Sequence, residues 1–291
     1  MEFKVKPYGS FEITEKIIID LINSKAIQRL KKINQLGLPA KWHYGFQFSR
    51  YEHSLGVLYL SYFFNLDLNT KIAAILHDVA HTAFSHVIDY LIENYDEDYH
   101  DKNLKSYLEK DKEIITLLIK NNIVVDQFYD MDNNFSFIKR ADRLLNLDRL
   151  DYTLREYYYM TNNSKKVSDI IDDLTIINNK FVFKNKKYAE ELSKIFVDLS
   201  KNHWSGAKHK TAYLIFSKIL KRALDTKLIN LNDFYKTDDY ILDILLKSDD
   251  PTIKENIQKL ESGSFEIIPF KTKYRILDVL YLDKNKSIIQ I

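Results

Sequence analysis

The stretch His77-Asp78-Val79-Ala80-His81-Thr82-Ala83-Phe84-Ser85-His86-Val87-Ile88-Asp89 puts three of the chain's eight histidines within ten residues, with two aspartates beside them. On a helix, His77 and His81 are four apart and share a face; His86 and Asp89 are three apart and do the same. Adjacent His77 and Asp78 would point about 100° apart. Both reach one metal ion only near a helix end, where other segments complete the shell. The preceding residues, Ile72 to Leu76, are all apolar and predicted to be buried. Burying an imidazole and a carboxylate there costs on the order of several kcal/mol unless they are paired or hold a metal. A lone His-Asp dipeptide is usually a surface or capping pair; the clustering points to a metal centre.

Two other segments extend the pattern. Arg50-Tyr51-Glu52-His53-Ser54-Leu55-Gly56-Val57 offers His53 at the start of a helix, and Leu147-Asp148-Arg149-Leu150-Asp151-Tyr152 offers Asp148 on a later one. His53, His77, Asp78 and Asp148 together make a two-histidine, two-carboxylate shell. The chain has no cysteine, so thiolate ligands, disulfides and a cysteine nucleophile are excluded. Such nitrogen and oxygen ligation suits one divalent ion per chain, with Mn, Fe, Mg, Zn and Ni all open. Four protein ligands leave positions for water or a phosphate oxygen on a six-coordinate ion.

The 291 residues carry a formal net charge of only +2, so no global field points to nucleic acid or a membrane surface. Six glycines and four prolines leave room for long helices. Apolar spacing predicts helices over 15–36, 51–66, 69–80, 84–94, 103–120 and 136–162, then over 186–200, 207–228, 238–247 and 251–261. Thr175-Ile176-Ile177 and Phe181-Val182-Phe183 flank Asn178-Asn179-Lys180 as a short hairpin. From about 265 the tail turns β-rich, with Asp283-Lys284-Asn285-Lys286 as a turn between strands. The fold class is therefore mostly α, with a small β-hairpin and a short β-rich C-terminal tail. Residues 1–228 form the expected core and 229–291 a helical extension ending in that tail. Met1 to Ser10 lacks the apolar stretch of a secretory signal, and no apolar run approaches the ~18 residues of a membrane span, so a cytoplasmic location is expected.

The pattern resembles the HD superfamily of metal-dependent phosphohydrolases, and the match is closer to one branch. Arg50 to Val57, His77-Asp78-x-x-His81-x-x-Phe84-Ser85-His86 and Asp148-Arg149-Leu150-Asp151-Tyr152 look like the deoxynucleoside triphosphate triphosphohydrolases. That branch includes the SAM-and-HD-domain dNTPases and the bacterial dGTPases. The resemblance runs from about residue 1 to 268 and takes in Gln28-Arg29-Leu30, Gln35-Leu36-Gly37 and Thr237-Asp238-Asp239. It implies an HD-domain helical fold, a dNTP substrate and a homo-oligomer, a dimer or higher.

By this resemblance His53, His77, Asp78 and Asp148 are the metal ligands, and Arg50 and Arg149 contact phosphates. Arg149 stands where lysine is frequent. His81 and His86 face the phosphates or water, with Asp89 orienting His86. His100 is the general acid, needing little tuning from the ordinary imidazole range, and Asp101 is its neighbouring acid. Gln35, Leu36, Tyr152 and Glu156 form the sugar pocket, with Leu36 against C2′ and Glu156 in place of an aspartate. Departures are Phe48 for a frequent histidine, Ala207 for a frequent base-stacking aromatic, and Asn23 and Lys31 for the aspartate and arginine of nucleotide-regulated relatives. They leave base specificity and nucleotide activation open. The alternatives to a dNTPase are another HD phosphohydrolase, acting on nucleoside monophosphates or cyclic nucleotides, or a non-catalytic nucleotide-binding regulator.

Overall fold

A computed structural model describes residues 1–42, 47–269 and 275–291. The chain opens with an antiparallel hairpin, β1 (Glu2–Val5) and β2 (Gly9–Glu12), paired in the register Phe3 to Phe11. Sequence reading missed this hairpin: its four-residue strands are too short to show a period. The helix expected over 15–36 is broken into α1 (Lys16–Asn23) and α2 (Lys25–Arg29). Ser24 leaves the helical region, with ψ at 150°, and its side chain caps α2 through the Ile27 N–H. A polar cap therefore interrupts an apolar stripe that periodicity reads as continuous.

Helix α3 (Arg50–Phe63) starts from a capping box in which Ser49 and Glu52 satisfy each other's backbone N–H groups. Helix α4 (Leu68–Leu76) is capped by Asp67 and ends one residue before His77. His77 and His81 therefore do not share one helical face as the spacing suggested. The chain turns instead through Phe84 and Ser85, both at positive φ (61° and 49°), into the short α5 (Val87–Leu91). Residues 103–120 likewise divide into α6 (Tyr99–Lys110) and α7 (Lys112–Lys120), because Asp111 caps the second helix.

The short α8 (Met131–Asn134) comes before a loop where a helix over 136–162 was expected, and only α9 (Leu147–Thr161) is helical there. Asp142 accepts from the Leu144 N–H, and Asn146 caps α9. Then come α10 (Ser164–Asp172), β3 (Leu174–Ile177), β4 (Lys180–Phe183), α11 (Lys186–Asp198) and the long α12 (Ala207–Asp225). The chain finishes with α13 (Asp238–Leu246), α14 (Pro251–Ser262), β5 (Leu280–Leu282) and β6 (Ile288–Gln290). The tail strands extend the predicted hairpin into a sheet of order β3-β4-β5-β6, in which β4 and β5 run parallel. Asp283 holds the predicted turn by accepting from the Asn285 and Ser287 N–H groups. The architecture is mostly helical, as expected. Among the described residues, no helix is long and apolar enough to cross a membrane.

Helices α3, α4 and α9 enclose the core around Val57, Leu58, Ile72, Ile75, Leu150 and Leu154, all fully buried. The contact between α3 and α9 is set by Gly56. A Cβ there would lie 1.9 Å from Asp151 Oδ1 and 2.1 Å from an Arg155 terminal nitrogen. Gly56→Ala is therefore expected to destabilise the chain by ~1–3 kcal/mol or more, the usual scale of overpacking, and to lower the urea midpoint accordingly. An unchanged midpoint would mean the two helices can separate without cost.

Candidate active site

The end of α4, the first turn of α3 and the first turn of α9 converge. His53 Nε2 lies 3.2 Å from His77 Nε2 and 3.1 Å from Asp148 Oδ1. Asp78 completes the group, with its two carboxylate oxygens 3.7 Å from His53 Nε2 and 3.5 Å from His77 Nε2. The ligand atoms of His53, His77 and Asp148 all fall within 4.8 Å of one another. Hydrogen bonds on the far sides of the rings assign the tautomers. His77 Nδ1 donates to the Ala74 carbonyl (2.9 Å), and His53 Nδ1 donates to the Asp151 carboxylate (2.7 Å). Both Nε2 lone pairs then face each other and Asp148, an arrangement of acceptors that only a proton or a cation relieves. Burial works against a charged His53, yet Asp148 and Asp151 override it and raise its pKa to about 9. In His77 burial prevails and the pKa is lowered. This buried, electron-rich, sulfur-free donor set fits a divalent metal ion, with Asp151 as the partner that orients His53 and raises its basicity.

All three guanidinium nitrogens of Arg50 have protein partners: Asp78 Oδ2 (2.8 Å), Ser85 Oγ (3.0 Å) and the Gln35 carbonyl (3.3 Å). Arg50 therefore fixes Asp78 and ties the loop at 34–37 to the loop at 84–86. Arg149 donates from its two terminal nitrogens to the Leu144 and Arg140 carbonyls and so braces the loop before α9. Both arginines still line the cavity above the ligand cluster.

Beside the ligands, His81, His86 and His100 form a second group. The His81 and His100 rings stack with centroids 3.8 Å apart, and His86 meets both edge-on. His86 Nδ1 is 3.3 Å from Asp89 Oδ2. The other oxygen of Asp89 accepts from Asn94 and from the Tyr99 N–H, so Asp89 also anchors the start of α6 and hence His100. Asp101 pairs with Lys139, whose ammonium lies 3.3 Å from His100 Nε2. Nε2 lies equally far, 3.3 Å, from Asp101 Oδ1, so it has both a donor and an acceptor within reach, while Nδ1 has no hydrogen-bond partner among the described residues. Burial first, then the positive charge around His81 and Lys139, pushes the His100 pKa well below the usual imidazole range. This differs from the expectation of an imidazole needing little tuning: the surroundings favour the neutral ring.

A cavity of about 400 Å³ opens over Asp78, Asp148, His86 and His100. It adjoins a tight second cavity of about 50 Å³ that brings together Gln35, Leu36, Tyr152 and Glu156, from segments more than 100 residues apart. Gly37 makes this possible. Its φ is 73°, and a Cβ there would meet the Phe84 carbonyl at 2.7 Å and the Tyr213 hydroxyl at 2.8 Å. Gln35 Oε1 and Glu156 Oε1 are buried with no hydrogen-bond partner among the described residues. The other Glu156 oxygen accepts from Trp204 Nε1 (2.8 Å). Burial raises the Glu156 pKa to about 7 against the opposing Trp204 bond.

Residues 50–175 match the HD domain family. Over 97% of its length the chain is 30% identical to the uncharacterized protein YdhJ of Bacillus subtilis, of which it covers 89%. The chain belongs to the HD-domain family. Over 93% of its length it is also 26% identical to the metal-dependent phosphohydrolase cns2 of Cordyceps militaris, of which it covers 82%. A solved phosphohydrolase of Bacteroides thetaiotaomicron shares the fold. It has a TM-score of 0.66 and 17% identity, with 100% of this chain and 93% of that one covered.

Several residues of this HD-domain site escaped sequence reading. Lys139 lies in a segment read as helix. Trp204 comes three residues before Ala207, where an aromatic was sought, and it supplies an indole to the small cavity. Lys210 and Arg275 also line that cavity, Arg275 from just before β5. No local pattern marks a lone lysine or arginine as facing a cavity.

Two outcomes follow from this geometry. Asp78→Ala should remove most of the bound metal, read by elemental analysis, because it strips one ligand and leaves Arg50 without its carboxylate. The folded pKa of Glu156 is raised from 4.5 to about 7, so the folded chain holds a proton through that window while the unfolded chain releases it. Stability should therefore fall as pH rises from 5 to 8. Glu156→Gln should shrink the difference between urea unfolding free energies at those two pH values by up to ~3 kcal/mol.

Proposed function

We propose that this HD-domain protein is a metal-dependent phosphohydrolase that cleaves dNTPs to deoxynucleoside and inorganic triphosphate. The observation that carries this reading is the pair of adjoining cavities. A pocket walled by Leu36, Tyr152 and Glu156 is the size of part of a sugar, and the larger cavity beside it lies over the ligand cluster. The metal-dependent phosphohydrolase among the relatives supports the reaction class.

His53, His77, Asp78 and Asp148 would hold the ion. Its chemistry is Lewis-acid polarisation of a phosphoryl oxygen and acidification of water. Water adds to the α-phosphorus and gives up a proton to solvent, the bond from that phosphorus to O5′ breaks, and the electron pair leaves on O5′, which takes up a proton. His100 is placed to supply that proton. Its Nδ1 has no partner among the described residues, and on the other side Asp101 Oδ1, 3.3 Å from Nε2, can accept from the protonated ring beside Lys139. A polyphosphate brought alongside reverses the local field and favours the protonated ring. Asp89 keeps His86 oriented toward the same space. Glu156, neutral at and below about pH 7, can donate to or accept from the 3′-hydroxyl, with Gln35 Oε1 as a second acceptor.

Leu36 supplies the discrimination. It is buried, and its carbonyl is fixed by the Tyr213 hydroxyl at 2.8 Å. A ribose 2′-hydroxyl against it loses water and gains no partner, a cost of ~1–3 kcal/mol, or roughly 5–150-fold. Incubation with each dNTP and Mn²⁺, followed by anion-exchange chromatography, should give deoxynucleoside and triphosphate. The ratio of kcat/KM for dGTP over GTP should lie in that range and fall in Leu36→Gly. Equal kcat/KM for the two nucleotides in the wild type would reject the dNTPase assignment. Release of orthophosphate or of a nucleoside monophosphate would place the chain elsewhere among phosphohydrolases.

A further inference from the structure

Arg275 enters the site from the C-terminal segment, beyond the 1–268 span over which the chain resembles dNTPases. Its backbone is pinned in both directions by one side chain. The Arg275 N–H donates to Ser200 Oγ (3.1 Å), and Ser200 Oγ donates to the Arg275 carbonyl (3.0 Å). Three residues on, the Asp278 N–H donates to the Arg143 carbonyl (2.9 Å), and β5 then joins β4. Residues 275–278 are therefore fixed at both ends, with Arg275 and Ile276 on the cavity wall.

The guanidinium is positioned as firmly. Its carbon lies 5.7 Å from the Tyr152 ring centroid and 5.5 Å from that of Trp204, over two aromatic walls of the small cavity. One terminal nitrogen donates to Glu97 Oε2 (2.9 Å). The side chain is still 32% exposed and lines both cavities, so it stands at the junction of the sugar pocket and the metal side.

Glu97 does not need Arg275 for neutralisation. Its other oxygen already accepts from Lys210 Nζ (2.6 Å) and from the Tyr90 hydroxyl (2.9 Å). Two cations on one carboxylate leave Glu97 more than neutralised. Asp101 and Asp142, also on the cavity wall, are paired with Lys139 and Arg140. Each guanidinium nitrogen of Arg50 already has a protein acceptor, Arg149 has both terminal nitrogens on backbone carbonyls, and Arg143 is exposed on the wall of the larger cavity alone. Arg275 lines both cavities, and its carboxylate partner already has a second cation of its own. A planar fork held between aromatic rings and a carboxylate is pre-organised for phosphate oxygens, with little rotamer entropy left to lose on binding.

We propose that Arg275 binds the phosphate chain of the substrate and is held ready for it by Glu97, Tyr152 and Trp204, so that nucleotides with a longer phosphate chain are preferred. The inference rests on the reading that these cavities take a nucleoside polyphosphate. The test uses the full-length, metal-loaded protein, with inorganic tripolyphosphate and orthophosphate as calorimetric probes and dNTP kinetics in parallel. Arg275→Gln should weaken tripolyphosphate binding about tenfold or more and raise KM for dNTP similarly. It should leave orthophosphate binding, metal content and melting temperature near wild type, with kcat changed less than about threefold. Arg275→Lys should recover part of the loss, because a lysine restores the charge without the fork. Wild-type tripolyphosphate affinity in Arg275→Gln overturns the proposal, as does a loss in that variant matched by an equal loss for orthophosphate. Absence of tripolyphosphate binding to the wild type overturns it too. If the wild type binds tripolyphosphate through Arg275 yet turns over no dNTP, the functional reading fails and the phosphate site stands.

Discussion

A single buried carboxylate joins the parts of this protein that must not move relative to one another. Asp151 accepts from Tyr8 Oη (2.7 Å), His53 Nδ1 (2.7 Å) and two Arg155 nitrogens (2.9 and 2.8 Å). The N-terminal hairpin, α3 and α9 meet there. Burial alone would raise its pKa, but Arg155 and His53 hold it lowered, so the charge is kept. A buried ion pair contributes little to stability against an apolar alternative. Breaking one is another matter, because an uncompensated buried charge costs about 3–5 kcal/mol. The arrangement therefore acts less as a source of stability than as a constraint on geometry. Only one placement of α3 against α9 satisfies every donor, and that placement aims His53 at His77 and Asp148.

The opposite wall of the site is held by backbone carbonyls and a second, half-buried carboxylate. Arg29 donates to the Val79 and His81 carbonyls, and the Ala83 N–H donates to the Phe234 carbonyl. Asp238, at the first residue of α13, accepts from the Asn34 N–H (2.8 Å) and the Phe84 N–H (2.7 Å). It thereby ties the loop that carries Gln35 and Leu36 to the loop that carries His81 and His86. Phe84 and Ser85 both hold positive φ there, a conformation that costs of order 1–3 kcal/mol per residue and persists only where surroundings over-determine it. These contacts supply that over-determination. The segment after residue 229 is in this sense part of the site, since its helices fasten the loops that the ligand-bearing helices only present.

The electrostatics follow the same division. Cations near the ligand cluster are tied to protein: Arg50 to Asp78, Lys139 to Asp101, Arg155 to Asp151. Histidines packed among them, His81 and His100, are pushed toward neutrality by burial and by that positive charge. Glu156, in the small cavity, is pushed toward neutrality by burial as well. Arg275 stands at the junction of the two cavities, and the nitrogen and carboxylate acceptors gather where His53, His77, Asp78 and Asp148 meet.

What the sequence by itself determined is the local chemistry: four candidate ligands in the spacing of the HD pattern, the hairpin at 175–183, and the β turn at Asp283. Each is written in a few adjacent residues, because ligand chemistry and turn conformation are set by side-chain type and local backbone preference. Helix ends were read less well. Ser24, Asp111 and Asn146 act as caps inside stretches whose apolar period runs on, and a cap outweighs periodicity wherever the backbone gains a partner. Only the tertiary structure decided which cations reach the cavity. Lys139, Lys210 and Arg275 are single charged residues in ordinary surroundings along the chain, and they line the site because α6, α12 and the C-terminal strands carry their counter-ions, or the residues themselves, to one point. Charge acts through space, across 178 residues in the pairing of Glu97 with Arg275, and no window along the sequence contains both partners.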